Sequence, residues 1–80
     1  MARPLYTIAA EIRKDWGTKL SPYAKPYLEA MESLTTIDQP YYADSGVSVV
    51  LYFLSNAGSW RGETARRIKA ELKAMAQGVR

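Results

Sequence analysis

The stretch Ser45-Gly46-Val47-Ser48-Val49-Val50-Leu51-Tyr52-Phe53-Leu54-Ser55-Asn56-Ala57 decides the fold. Val47, Val49, Val50, Tyr52 and Phe53 suit a β-strand. No second strand is available to pair with it, and a lone strand leaves its backbone N–H and C=O groups without partners. The segment therefore reads as a helix over about 45–57, with Val47, Val50, Leu51 and Leu54 inward. It is apolar nearly all round, which predicts a central, buried position. Asp44 or Ser45 stands where an N-cap belongs.

Reading outward, a helix over about 60–76 follows, with Ser59 as its N-cap and Gly78 as its end. Ala65, Ile68, Leu72 and Met75 form its apolar stripe, and Trp60 reaches the same core. Before the central segment, Thr35 to Ala43 contains Asp38, Pro40 and two tyrosines and reads as a loop. A helix over about 26–34 opens at Pro26, which suits a first turn. Tyr27, Met31 and Leu34 share one of its faces. The first helix covers about 4–16, with Leu5, Ile8, Ile12 and Trp16 on one side and Gly17 as a stop. Residues 1–80 thus read as one all-α domain. It is a small bundle of four helices with a buried central third helix, and its short loops favour antiparallel neighbours.

The composition excludes several chemistries. The 80 residues contain no cysteine and no histidine. That removes disulfides, thiol nucleophiles, Cys/His zinc sites and Ser-His-Asp triads. No cofactor or metal is expected. The N-terminus Met1-Ala2-Arg3-Pro4 leads into an amphipathic pattern with no apolar leader. The longest apolar run, Val49 to Leu54, is far short of the roughly 20 residues of a membrane span. A cytoplasmic protein with no membrane partner is the expectation.

Charge is unevenly placed. The net charge is +3, yet residues 59–80 alone carry +4 and residues 1–58 carry −1. On the last helix, Glu63, Arg67 and Glu71 recur at i, i+4 spacing and are expected to pair with one another. Arg66, Lys69 and Lys73 form a separate stripe on its solvent side. Lys69 and Lys73 have no acid at i±3 or i±4, so the stripe is a candidate nucleic-acid or anion-binding face. The favoured reading is the ordinary solvated face of a helix whose cations complement the C-terminal dipole, because charge runs on helices are usually that. The short connector Asn56 to Ser59, with Gly58, would fit a helix-turn-helix. No Asn or Gln lies on the reading surface, although those residues pair with adenine.

Trp16 and Trp60 read as core anchors. Tyr41 and Tyr42, following Pro40 in the loop, are candidate partner-binding residues, or else a lid over the core. Glu29 and Glu32 stand at i, i+3 on a polar face, and nothing marks them for acid–base work. No phosphate loop is present. An enzyme is not expected.

The chain resembles small proteins of unassigned activity encoded by phages and prophages of actinobacteria. The resemblance lies in Ala2-Arg3-Pro4-Leu5-Tyr6, in Pro26-Tyr27-Leu28 with Ala30-Met31, and in Tyr52-Phe53-Leu54 with Asn56-Ala57. Its most specific part is Trp60-Arg61-Gly62-Glu63 with Ala65-Arg66-Arg67-Ile68-Lys69-Ala70-Glu71-Leu72-Lys73. It implies a phage or prophage context and assigns no residue a role. The leading expectation is a non-enzymatic interaction protein, an adaptor or regulator of a host protein. The alternative is a nucleic-acid-binding protein using the basic face of the last helix. A homodimer is compatible with either, because small cores are often completed by a partner.

Overall fold

Ser45 begins the decisive helix: its hydroxyl accepts a hydrogen bond from the Ser48 N–H at 3.3 Å, as an N-cap does. The computed structural model describes residues 3–41 and 44–78, and of Asp44 only the backbone. Its elements are α1 (Leu5–Trp16), α2 (Lys25–Met31), a two-residue hairpin of β1 (Pro40–Tyr41) and β2 (Asp44–Ser45), α3 (Gly46–Ser55) and α4 (Glu63–Gln77). A 3-10 turn over Gly17–Lys19 follows α1. The described residues form an all-α bundle of four helices.

The strand preference of the central segment is expressed only at its edge. Pro40 pairs with Ser45 and Tyr41 with Asp44, antiparallel, and the chain then turns into α3. Gly46 makes that turn possible. Its N–H donates to the Gln39 carbonyl at 2.9 Å. A Cβ at Gly46 would lie 2.8 Å from the Ile37 carbonyl carbon and nearer still to its oxygen. Gly46→Ala is therefore expected to cost about 1–3 kcal/mol through overpacking against backbone. Gly58→Ala, where an added Cβ meets nothing within 4 Å, should stay within about 0.5 kcal/mol of the parent. Thermal melts of the two variants side by side check this close approach.

The inward face of α3 differs from the expected one. Gly46, Val49, Val50 and Phe53 are buried, as is Ala57 just beyond the helix. Val47 and Leu54 flank the core half-buried, and Leu51 is 49% exposed. The helix is turned by about one residue, roughly 100°. A helix apolar on every side carries no phase in its pattern. The phase is set by Phe53, whose ring fits edge-on against Trp16 and Trp60.

The other helices pack in a ring: α1 against α2 and α4, and α3 against α2 and α4. The first amides of α1 lack a side-chain cap and instead donate to the chain after α2, Leu5 N–H to Thr35 at 2.9 Å and Tyr6 N–H to Leu34 at 3.0 Å. Gly17 ends α1 with φ of 61°, and its N–H returns to the Arg13 carbonyl. The second helix stops at Met31, three residues earlier than expected, yet Leu34 and Ile37 still enter the core. The last helix starts later than expected. Gly62, with φ of 117°, occupies the cap position, and neither Ser59 nor Trp60 is in the helix. That backbone conformation is open to glycine and cannot continue a helix in either direction.

Candidate functional site

The charged residues of α4 divide between two sides. Towards α1, Arg3 holds Glu71 with two hydrogen bonds, at 3.0 and 2.7 Å, and Glu11 with a third at 2.8 Å. Arg67 also donates to Glu11. The expected pairing of Arg67 with Glu63 and Glu71 along one helix is thus replaced by pairing between helices. Intrahelical pairs gain only a few tenths of a kcal/mol, and Arg3 offers a bidentate alternative.

The Arg3 and Arg67 guanidiniums, in that order, hold the Glu11 carboxyl below the usual carboxylate range. A lowered folded pKa adds stability above the ordinary pKa, and this is lost as pH falls through the folded value. Glu11→Gln should lower the melting midpoint by about 2–6 °C at neutral pH and low salt, less in high salt. The gap between parent and variant should close in acid. A gap that persists there would assign the effect to packing.

The other side of α4 carries the predicted basic residues. Arg66 and Lys73 are exposed and have no carboxylate partner among the described residues. Lys69 departs from the expected solvent stripe. It is half-buried, and its Nζ donates to the carbonyls of Ala57 at 2.7 Å and Trp60 at 2.6 Å, 5.9 Å from the Trp60 ring centroid. It closes the turn after α3. Burial first, then the nearby charges of Arg61 and Lys73, lower its pKa. Arg61, in the connector, joins this side. With Trp60, Gly62, Ala65, Arg66 and Lys69 it lines a depression of about 300 Å³.

The α3–α4 connection runs over residues 56–62. That is well beyond the three- or four-residue turn of a helix-turn-helix, and Arg61 precedes the helix.

The predicted partner residues fare differently from one another. Tyr41 is half-buried against the core in β1. Tyr42 lies outside the described residues. The exposed apolar surface is elsewhere. Leu51 and Tyr52 on α3 are 49% and 51% exposed, and Tyr23, in the turn before α2, is 76% exposed. Tyr52 stacks on Tyr27 of α2, with ring centroids 5.5 Å apart. Ser48 and Ser55 extend the same side of α3 at helical spacing. Ser55 and Asn56 turn their side-chain donors onto carbonyls of α3 itself, at Leu51 and Tyr52. No charged residue occurs between Ser45 and Trp60. In the sequence, Tyr27 falls on one helix face with Met31 and Leu34 and Tyr52 suits a strand, so neither marks a shared outer face until the two rings are stacked.

Glu29 and Glu32 are exposed, and Glu32 is held by Arg13 at 2.7 Å. No group of three or more metal-ligating side chains occurs among the described residues. None of the described helices is long and apolar enough to cross a membrane. Comparison with protein-family models, curated proteins and solved structures finds no match. A functional reading therefore rests on these two surfaces.

Proposed function

We propose that the protein is a non-enzymatic interaction module, a phage- or prophage-borne adaptor or regulator of a host protein in the bacterial cytoplasm. It docks through Leu51, Tyr52 and Tyr27 onto an apolar helix of its partner. The supporting observation is the uncharged, half-exposed outer side of α3. Ser48, Leu51, Tyr52 and Ser55 follow the i, i+3, i+4, i+7 spacing that one helix offers another. Tyrosine supplies large contact area at low conformational cost and is enriched among residues that dominate interfaces. Exposing such side chains to water costs about 25 cal/mol per Å² of apolar area, which a partner removes.

The test is capture from host lysate by the parent protein and by Leu51→Lys, with nuclease present throughout. The expected result is a partner that survives nuclease and is lost with Leu51→Lys, while the variant melts close to the parent. Capture that is unchanged in the variant, or no capture in the presence of nuclease, would overturn this reading. Light scattering of the parent alone identifies the case in which the partner is a second copy.

A further inference from the structure

Among the described residues, Arg3, Arg13 and Arg67 each hold a carboxylate, whereas Arg61 and Arg66 hold none. Those two line one depression, and its other walls are Trp60, Gly62, Ala65 and Lys69. Lys69 is fixed there by the Ala57 and Trp60 carbonyls, so one positive charge stands at a set position with no freedom to seek a carboxylate. Lys73 continues the side, one helical turn beyond Lys69. The acid nearest in sequence, Glu63, is exposed on the first turn of α4 and makes no ion pair with Arg66. Asp15, held by the Trp60 indole, lines a neighbouring cavity with Arg61, yet among the described residues no carboxylate makes an ion pair with Arg61, Arg66, Lys69 or Lys73, and an anion seated over the depression would supply one.

The spacing distinguishes a single anion from a chain of them. Arg66 and Lys73 lie about 10 Å apart along the helix, at 1.5 Å per residue. One phosphate between Arg61 and Arg66 leaves Lys73 unused, whereas a phosphodiester chain engages all three. No Asn or Gln lines the depression, and those are the side chains that read adenine. We propose that Arg61, Arg66 and Lys73, around the fixed Lys69, bind the phosphodiester backbone of duplex nucleic acid without regard to sequence. This surface is separate from the α3 docking side and does not depend on it.

Anisotropy titration of a labelled DNA duplex across a salt series tests the proposal. Three neutralised phosphates give a slope of about −2.7 in log K against log salt. Arg61→Gln/Arg66→Gln should reduce the magnitude of that slope by about 1.8, and Lys73→Gln by about 0.9, for duplexes of unrelated sequence alike. Both variants should melt with the parent, because the replaced side chains are exposed and make no ion pair. No duplex binding at low salt would overturn the proposal. So would a slope that the double variant leaves unchanged. A slope of about −0.9 with full competition by millimolar inorganic phosphate would also overturn it, in favour of a single-anion site.

Discussion

Phe53→Ala is expected to destabilise the domain by about 3–5 kcal/mol. Phe53 is fully buried, and its ring stands edge-on to Trp16 at 6.2 Å and to Trp60 at 6.4 Å. Truncation removes the burial of the ring, leaves a cavity between two indoles, and forfeits both aromatic contacts. A domain of this length has a total stability of about 4–12 kcal/mol. The variant should therefore lose a large part of that stability and unfold at a much lower urea concentration than the parent, and it is unfolded at ordinary temperature if the parent lies at the low end of the range. Leu51→Ala should cost under about 1 kcal/mol, because half of that side chain already meets water. The expected inward face of α3 predicted the opposite order, so Leu51→Ala proving the costlier change would restore that face and overturn the observed one.

The helices were legible wherever polar and apolar residues alternate with a clear period. Leu5, Ile8, Ile12 and Trp16 on α1 and Ala65, Ile68 and Leu72 on α4 are buried as expected, while Met75, the last of the expected α4 stripe, is only partly buried. The stop at Gly17 was legible because a positive φ belongs to glycine. Gly62 carries the same signal, but it sits between Arg61 and Glu63, where polar residues on both sides resemble a helix surface. The phase of α3 was not legible, because every candidate face is apolar and the choice falls to ring shape. Leu54 illustrates this: it was expected inside and is half-buried at the rim, while Phe53 fills the centre.

The candidate surfaces were legible in part, for electrostatic reasons. Spacing along one helix identified Lys69 and Lys73 as residues without local acids, and Arg66 as one whose Glu63 at i−3 is contested by Arg67. Spacing cannot show a backbone carbonyl brought in from another segment, and two of these take the Lys69 ammonium. Likewise, Arg3 is remote in sequence from Glu71 and only packing of α1 on α4 joins them. The result is a segregation of charge. Every ion pair among the described residues involves α1 or the Arg3 just before it, and the cations around the α3–α4 connection stand apart.

Trp60→Ala is the second change expected to cost about 3–5 kcal/mol. Trp60 is 2% exposed although it lies outside any helix, so its position depends on contacts rather than on helical geometry. Its ring stacks on Trp16, 5.5 Å apart and 14° from parallel. Its Nε1–H donates to Asp15 Oδ2 at 2.8 Å. Its carbonyl accepts from Lys69, and that bond belongs to the backbone and survives any side-chain change. Trp60→Phe separates these contributions. It retains an aromatic ring over Trp16 and loses the Asp15 bond, so about 1–2 kcal/mol is expected, Asp15 being exposed enough to return to water. Urea unfolding followed by circular dichroism ranks the two variants. Duplex titration of Trp60→Phe should match the parent, because Arg61, Arg66 and Lys73 keep their charges and Lys69 keeps its carbonyls. If Trp60→Ala melts close to the parent, Trp60 is not the anchor that sets the connector. If Trp60→Phe abolishes duplex binding while folding intact, the indole itself contacts the ligand, and the backbone-only account of that surface is wrong.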